Sequence, residues 1–332
     1  MPILNGLAPS LITTIFFAGQ NGAQGVADQH ITILMATCNG AQFLAAQLDS
    51  LLVQTHCNWS LVVSDDGSCD ATLPILHAFD RAHPRHKLRL YKGPCLGSAA
   101  QNFMSLLTRE DLPRGSVALA DQDDVWLPCK LARAMCHLQH LPDAVPAIYG
   151  AGSALTDANL VPLRQKSEPM ILPSFRNALV QNIFSGHSMA LNSAALDLIK
   201  AVGAPPRIEF HDWWLYQLVA GAGGNCVLDD AKTVLYRQHG GNSFGTSHSV
   251  RGALKRVQHL ARNDYSNWLV AHWRALQDAG QFLAPASRHI VRDLLHPCKS
   301  EPRAAQFHRL GLHRSSAKGT AALHLAARFG WV

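Results

Sequence analysis

Three aspartates within four positions are the part of this sequence that most clearly indicates chemistry. Asp121, Asp123 and Asp124 lie between two apolar segments, residues 117–120 and 126–127. Close carboxylates repel one another unless a positive charge neutralises them, and hard divalent cations prefer oxygen ligands. The spacing alone fits a metal site and a solvated acidic loop about equally. The flanking apolar segments favour the metal site, because they would anchor the loop.

Two other polar groups occupy comparable places earlier in the chain. Asn39 follows the first apolar run, and Asp65-Asp66-Gly67-Ser68 follows the second. The acidic pair by itself is typical of a turn that leads into a helix N-cap, since Asp and Ser suit both roles. The sequence contains neither a G-x-G-x-x-G motif after the first run nor a G-x-x-x-x-G-K-[ST] motif. This absence disfavours a dinucleotide dehydrogenase and a P-loop phosphotransferase.

The elements that must position these residues are alternating strands and helices. Apolar runs of strand length predict strands, and apolar residues at helical spacing predict helices between them. The predicted strands are 31–37, 60–64, 87–91 and 116–120, and the predicted helices are 43–52, 71–81, 99–108 and 127–140. This order predicts an α/β fold with a mostly parallel sheet and helices on both faces. Ligands bind beyond the carboxyl ends of such strands, where the three polar groups would converge on one crevice.

The rest of the chain divides into less regular regions. Residues 1–29 read as a poorly ordered extension, residues 30–245 as the main domain, with halves 30–145 and 146–245, and residues 246–332 as a basic helical extension. Within the second half and the extension, strands are predicted at 148–151, 187–191 and 233–236, and helices at 193–201, 212–222 and 250–295. The last 35 residues are expected to be peripheral or disordered.

The net charge of +6 is unevenly distributed. Residues 1–244 hold 16 Lys and Arg against 19 Asp and Glu, or −3, whereas residues 245–332 hold 13 against 4, or +9. Such a module suits an anionic membrane surface or a polyanion, although it is also consistent with a solvated face. Lys255, Arg256 and Arg262 lie beside apolar residues of the predicted 250–295 helix, as in helices that lie along a leaflet. No nucleic-acid-binding motif accompanies the charge, so a nucleic acid is not an expected partner.

Cysteine usage and hydropathy predict the compartment. The eight cysteines form no C-x-x-C pair, and no apolar run approaches the roughly 20 residues of a membrane-spanning helix. The first Lys or Arg is Arg81, so the charged start of a signal peptide is missing. We therefore expect a cytoplasmic protein, with peripheral attachment at the inner face of the cytoplasmic membrane as the alternative that the basic extension suggests.

Taken in order, the motifs of residues 31–245 resemble the family 2 glycosyltransferases of the GT-A fold. The matching segments are residues 31–40, 48–55, 64–68, 120–126, 211–214 and 236–240. The last two are similar to a bacterial branch that includes rhamnosyltransferase-like enzymes of surface polysaccharide assembly. Cys38 departs from the family pattern, where an aromatic residue is usual, and so does His187, where a small residue or Cys is usual.

The resemblance implies a donor site. Ala36 and Asn39 would line the nucleotide pocket, and Asp66 would accept a hydrogen bond from the base. Asp121 and Asp123 would be the metal-binding pair for Mg²⁺ or Mn²⁺.

The resemblance also implies roles around the diphosphate and the acceptor. Asp124 would support the metal loop. Arg237 and His239 would lie near the leaving diphosphate, with His239 as a further metal ligand, although a salt bridge at a strand end is equally consistent for this pair. Asp212 would be the general base toward the acceptor hydroxyl, and it could also cap the helix that follows it.

The implied activity is that of an inverting glycosyltransferase of polysaccharide biosynthesis. It would move a sugar, with a 6-deoxyhexose such as rhamnose as first candidate, from a nucleotide-diphosphate donor, with dTDP as first candidate, to a glycan or lipid-linked acceptor. A metal-dependent phosphohydrolase is one alternative, and Trp213-Trp214 as a platform for an acceptor sugar argues against it. A non-catalytic sugar-nucleotide-binding subunit is another, and the presence of Asp123 and Asp212 argues against that.

Overall fold

The computed structural model describes residues 29–165, 171–239, 264–298 and 300–332. Its strands and helices alternate through the first half of the chain, as the sequence predicts. In chain order the elements are β1 (Ile31–Thr37), α1 (Leu44–Leu52), β2 (Trp59–Asp65), α2 (Thr72–Ala82), β3 (Leu88–Lys92), α3 (Ala99–Leu107), β4 (Ser116–Ala120), β5 (Val125–Trp126), α4 (Lys130–Gln139), β6 (Ala147–Thr156), α5 (Phe175–Ala178), β7 (Ala190–Leu191), α6 (Ser193–Val202), α7 (His211–Gly221), β8 (Asn225–Arg237), α8 (Asp264–Asp278), α9 (Pro285–Leu295), α10 (Arg303–Arg309) and α11 (Ala317–Arg328).

The strands form one eight-stranded sheet in the order β3-β2-β1-β4-β7-β6-β8-β5. Strands β1 to β4 are parallel to one another, as are β6 and β8, whereas the two-residue strands β5 and β7 pair antiparallel. The predicted mostly parallel α/β sheet is therefore confirmed, with short antiparallel additions. The carboxyl ends of β1, β2 and β4 lie next to one another in this order, which brings the three polar groups to one edge of the sheet.

Helices cover both faces of the sheet, which explains why its central strands are almost wholly apolar. Strand β1 alternates its side chains between two hydrophobic clusters, with Leu34 in one and Ile33 and Met35 in the other. A strand buried on both faces reads as a continuous apolar run rather than an alternating one. This burial fixes the height at which β1 and β4 end, and so the position of the loops that follow them.

The structure corrects the prediction for the last 35 residues. Helices α10 and α11 are well formed, and Phe307 of α10 is fully buried with its ring edge against Trp273 of α8. Arg176 and Gln181 also hydrogen-bond to Leu310 and Ser315. The apolar residues of this region are widely spaced along the chain, so the sequence gives no strong helical period. They are nevertheless part of the main core.

Several predictions fall on residues that the structure does not describe. These are the N-terminal extension up to residue 28, Gly240, and the helical segment carrying Lys255, Arg256 and Arg262. Within the described residues, no helix has the length and apolarity needed to cross a bilayer. All eight cysteines are free thiols, as their spacing predicts.

The burial of Phe307 predicts that the C-terminal helices contribute to global stability. Phe307→Ala should lower the free energy of unfolding by about 3–5 kcal/mol, because it leaves a cavity beside Trp273. Urea denaturation measures the change. Phe329→Ala is the matched control, since that ring is exposed and its loss should cost no more than about 0.5 kcal/mol. Equal effects of the two changes would mean that α10 is not part of the core.

Candidate active site

The loops after β1 and β2 are joined by hydrogen bonds at the sheet edge. The Thr37 hydroxyl donates to Asp65 at 2.9 Å, and the Asp66 amide donates to the Thr37 carbonyl at 2.8 Å. Asn39, in the left-handed conformation at φ 49°, donates its amide to the Ser68 hydroxyl and accepts from the Cys69 amide with its side chain. The structure thus brings Asn39 and the Asp65–Ser68 turn together, as predicted.

Asp66 has a structural role that the sequence did not indicate. Its two carboxylate oxygens accept hydrogen bonds from the amides of Cys95 at 2.6 Å and Gly97 at 2.9 Å. The buried carboxylate therefore holds the loop after β3 against the end of β2. Ala36, one residue before the end of β1, is partly buried and packs on the core. The nucleotide contacts of Ala36 and Asp66 stay predictions.

Gln122, which lies between the first two aspartates of the cluster, connects the loop after β4 to the loop after β1. Its side-chain oxygen accepts from the Cys38 amide and its side-chain nitrogen donates to the Cys38 carbonyl, both at 2.9 Å. Gly40 makes this contact feasible, because a Cβ at that position would lie 2.2 Å from the Gln122 side-chain oxygen. The two loops are thus held in a fixed relative position.

Asp121, Asp124 and His187 converge on one point behind this loop. Their ligand atoms lie within 4.8 Å of one another, and His187 Nδ1 is 4.0 Å from Asp121 Oδ2 and 3.9 Å from Asp124 Oδ2. Asp124 is fully buried; one oxygen accepts from the Arg237 amide, while the other has no hydrogen-bond partner. A buried carboxylate oxygen without a partner is costly, and a cation would satisfy it.

Burial dominates the electrostatics of this cluster. Although a third of the Asp121 side chain is exposed to the cleft, the surrounding protein raises the pKa of Asp121 to about 7, with Asp123 and Asp212 adding to the effect. Burial likewise raises the pKa of Asp124 and lowers the pKa of Lys130, whose ammonium lies 3.3 Å from the ring centroid of Trp126. Burial also lowers the pKa of His187 to about 3, so that imidazole is neutral near pH 7.

These groups fit a divalent cation of the Mg²⁺ or Mn²⁺ class. Two carboxylates and a neutral imidazole form an oxygen-rich donor set, and the imidazole favours Mn²⁺ over Mg²⁺. His187 Nε2 lies 2.6 Å from the Ser153 hydroxyl, the kind of second contact that orients a metal-binding imidazole. The described residues therefore offer Asp121, Asp124 and His187 as a compact ligand set, which differs from the predicted set of Asp121, Asp123 and His239.

Asp123 and His239 form a separate pair at the mouth of the cleft. His239 Nε2 lies 2.8 Å from Asp123 Oδ2, and the ring of His239 packs on Phe43 with 4.7 Å between centroids. Arg237 donates its Nε to the Asp123 carbonyl at 2.9 Å and packs its guanidinium over the same Phe43 ring. Arg237 is buried, so it braces the acidic loop from within the protein. Metal binding by Asp123 and His239 stays a prediction.

Asp212 lies in the first turn of α7 and faces the acidic cluster. One carboxylate oxygen accepts from the Trp213 amide at 2.7 Å and the other from the Gly186 amide at 3.2 Å. Gly186 lies against this turn, and a Cβ there would lie 2.7 Å from His211 Nε2. The helix begins at His211, so Asp212 stabilises its first turn without being the N-cap residue. Its charge contributes to the raised pKa of Asp121, so the two carboxylates are near enough to interact electrostatically.

The proposed sugar platform is wrong. Trp213 and Trp214 are both buried, and the Trp213 indole donates to the Ala178 carbonyl at 2.6 Å. Helix α7 is apolar around almost its whole circumference, so these side chains pack in the core. Two consecutive tryptophans cannot present adjacent faces of a buried helix to a ligand.

Residues 32–197, half of the chain, match the family model described as Glycosyl transferase family 2. A dTDP-rhamnosyl transferase of Shigella flexneri, RfbG, is 30% identical over 241 residues, which cover 70% of this chain and 80% of the relative. The chain belongs to glycosyltransferase family 2. The expectation from the sequence motifs is confirmed, and the protein is a glycosyltransferase.

A second curated relative and a solved structure also resemble this glycosyltransferase. The UDP-Glc:alpha-D-GlcNAc-diphosphoundecaprenol beta-1,3-glucosyltransferase WfgD of Escherichia coli is 27% identical over 134 residues, 40% of this chain and 50% of that one. Residues 1–349 of S. aureus TarS, solved in complex with UDP-GlcNAc, align with a TM-score of 0.51 at 15% identity over 91% of this chain and 92% of that chain. The structural match supports the GT-A fold.

Sequence reasoning missed several residues of the glycosyltransferase cleft. A cavity of about 350 Å³ is lined by Asn39, Gly40, Gln42, Phe43, Gln122, Asp123, Ala158 and His239. Phe43 looked like part of the apolar face of α1, but it precedes the helix and packs on Arg237 and His239. His187 stood out only as a departure from the family pattern. Phe43 and Gln122 could have been recognised as cleft residues because each is an aromatic or polar residue in the loop that follows a predicted strand.

The contact between Gly40 and Gln122 predicts a non-additive pair of substitutions. Gly40→Ala should displace the Gln122 amide and weaken binding of a nucleoside diphosphate by roughly 5- to 30-fold, since two hydrogen bonds to Cys38 are lost. Gln122→Ala should weaken binding to a similar extent. The double variant should bind the nucleoside diphosphate no more weakly than either single variant. Without the Gln122 side chain, the hydrogen bonds to Cys38 are already lost and an alanine in place of Gly40 has nothing to displace. Calorimetric titration measures all four proteins, and additive losses would contradict the coupling.

Proposed function

We propose that this glycosyltransferase is an inverting, metal-dependent enzyme that transfers a sugar from a nucleotide-diphosphate donor. The observation that carries the proposal is the convergence of Asp121, Asp124 and His187 on one point beside the cleft, near enough to Asp212 for its charge to raise the pKa of Asp121. The three clustered side chains suit a cation, and Asp212 suits proton transfer. The loops that hold Asn39 and Gln122 border the same cleft, on the side where the nucleotide would bind.

The cation would be held by Asp121, Asp124 and His187, with Asp123 and His239 as the predicted ligands nearer the cleft mouth. When bound, it would neutralise the negative charge that develops on the departing diphosphate. The chain contributes an anchored loop: Arg237 holds the Asp123 carbonyl and the Asp124 carboxylate from behind. The carboxylates are therefore positioned before the donor binds, which is what electrostatic stabilisation of a transition state requires.

Asp212 would act as the base toward the acceptor hydroxyl. Its carboxylate is half-buried at the positive end of a helix, and two backbone amides orient it. As the new glycosidic bond forms, the acceptor oxygen loses its proton to this carboxylate. A single attack from the face opposite the diphosphate would invert the anomeric centre.

For the donor and acceptor we propose a dTDP-activated 6-deoxyhexose and a lipid-linked glycan. Support for the donor comes from RfbG, whose name specifies dTDP-rhamnose chemistry, and from the similarity that extends over 80% of that protein. Support for the acceptor comes from WfgD, whose substrate is a diphosphoundecaprenol-linked sugar. A lipid-linked acceptor would place the enzyme at the inner face of the cytoplasmic membrane, to which the basic extension would attach it.

The fold and the site bear differently on the two alternative functions, a phosphohydrolase and a non-catalytic binding subunit. Family membership argues against a phosphohydrolase, whereas Trp213-Trp214 no longer does, because both rings are buried. A non-catalytic binding subunit would not need an oriented carboxylate facing the metal cluster. The amides of Gly186 and Trp213 orient Asp212 in that way.

The role of Asp212 predicts a split between catalysis and binding. Asp212→Asn keeps the shape of the side chain but cannot accept a proton, so kcat should fall by roughly 10²- to 10⁴-fold with donor affinity nearly unchanged. Steady-state kinetics and calorimetry on the same preparation separate the two quantities. A loss of donor affinity with an unchanged kcat would assign Asp212 a structural role instead.

The proposed function as a whole is tested with a panel of nucleotide sugars and a lipid-linked acceptor, with Mn²⁺ and with EDTA. We expect transfer from a dTDP-6-deoxyhexose, inversion at the anomeric carbon by NMR of the product, and loss of transfer in EDTA. Asp123→Ala tests the predicted outer ligand and should lower transfer without loss of folding. Full activity in EDTA would reject the metal, and preference for a UDP-hexose would reject only the proposed donor.

A further inference from the structure

Helix α11 and the residues that follow it expose an apolar surface. Leu323 and Ala327 pack inward, whereas the opposite face of the helix is open to solvent. We define the C-terminal patch as Lys318, Leu325, Arg328, Phe329 and Trp331. Leu325, Phe329 and Trp331 are 54%, 59% and 56% exposed, and the rings of Phe329 and Trp331 stack with 5.4 Å between centroids. Large apolar side chains clustered in this way indicate an interaction site.

The charged side chains of the segment that carries the C-terminal patch are all positive. Residues 302–332 contain five Lys and Arg and neither Asp nor Glu. Lys318 and Arg328 are exposed at the two ends of the helix, and no carboxylate of the described residues forms an ion pair with either. The partner that complements this surface is therefore apolar with negative charges at its rim.

We propose that the C-terminal patch docks on an anionic lipid bilayer. Leu325, Phe329 and Trp331 would enter the interface, and Lys318 and Arg328 would contact lipid phosphates. Trp and Phe favour the boundary between apolar and aqueous phases, and a helix with basic and apolar residues on its outer face binds anionic lipid. A stable protein interface buries about 800 Å² per partner, which one helix face with three large apolar side chains does not supply. Lipid requires only that these side chains insert.

Because α11 packs on the rest of the protein, attachment through the C-terminal patch would also orient the cleft relative to the bilayer. Arg314, just before α11, hydrogen-bonds to Tyr265 of α8, and Gln181 donates to Ser315. Residues 174–181 lead to Gly186, whose amide donates to Asp212. The patch and the proposed base are thus parts of one packed unit. The benefit to catalysis rests on the proposed function, since it requires a lipid-linked acceptor, whereas the docking itself does not.

Vesicle co-sedimentation of the full chain tests the docking without donor or acceptor. We expect binding to phosphatidylcholine vesicles that contain phosphatidylglycerol, little binding to pure phosphatidylcholine, and release in high salt. The triple variant L325S/F329S/W331S and the double variant K318E/R328E should each lower the partition coefficient by more than about tenfold. For the double variant the size follows because each basic residue near an anionic surface raises the partition coefficient about fivefold.

Matched control variants keep this test specific. Val53→Ser removes an exposed apolar side chain elsewhere, and R81E/R85E reverses two exposed positive charges elsewhere. Both should bind vesicles like the unchanged protein. Thermal melting should show that all variants fold, and transfer to a soluble acceptor should be unchanged, which separates failure of docking from failure of the proposed function.

A second readout locates the contact. Brominated lipids should quench part of the tryptophan fluorescence in the unchanged protein and much less of it in Trp331→Phe. Five of the other tryptophans, Trp59, Trp126, Trp213, Trp214 and Trp273, are buried, and Trp268 is half-buried. Unaltered vesicle binding by both patch variants would overturn the proposal. So would the absence of binding at low salt, including the case in which the chain instead self-associates through the patch in sedimentation velocity.

Discussion

The mutual repulsion of the carboxylates at residues 121–124 is the constraint on which the rest of the site depends. Asp124 is fully buried, Asp121 exposes only about a third of its side chain to the cleft, and burial raises the pKa of both. In a medium of low dielectric constant, such a cluster is unfavourable unless protons or a cation neutralise it. Among the described residues, Lys130 and Arg237 are the two positive side chains whose charges act on these aspartates. They face the four carboxylates of Asp121, Asp123, Asp124 and Asp212, so negative charge remains for a cation to neutralise.

The surrounding elements hold this unfavourable arrangement in place. Buried polar residues in and just after α1 bind the segment after the aspartates, with Ser50 accepting from the Trp126 amide and Gln54 donating to the Leu127 carbonyl. Arg237 braces the loop from β8, and Gln122 ties it to the loop after β1. These contacts fix the backbone, and of the residues that make them only Arg237 also carries a charge that acts on the carboxylates. The loop is thus rigid while its charge remains available to a ligand, as expected of a site prepared for a cation and a diphosphate.

How far the sequence predicts this structure depends on the range over which each signal acts. Strands β1 to β4 and their helices were predicted within a few residues. For β1, β2 and β4 the reason is that burial on both faces leaves a continuous apolar run, whereas β3 is a partly exposed edge strand. The motifs also singled out Asp121, Asp123 and Asp212, and the charges of Asp123 and Asp212 both act on Asp121. Contacts between distant segments were not predictable: the approach of His187 to Asp124, the packing of Phe43 on Arg237 and the burial of Phe307 all depend on tertiary structure. Trp213 and Trp214 were misassigned because a helix that is apolar all round has no exposed face to display them.

The most direct test of the central claim is the pH dependence of Mn²⁺ binding, measured by calorimetry in the presence of a nucleoside diphosphate. Because the pKa of Asp121 is raised to about 7, protons should compete with Mn²⁺ below that pH. His187 stays neutral down to a pH of about 3 and should not contribute to this competition. Affinity should therefore fall as pH is lowered from about 8 to about 6, with protons released on binding, and Asp121→Asn should bind weakly at every pH. Affinity that is independent of pH, or undiminished in that variant, would contradict the account.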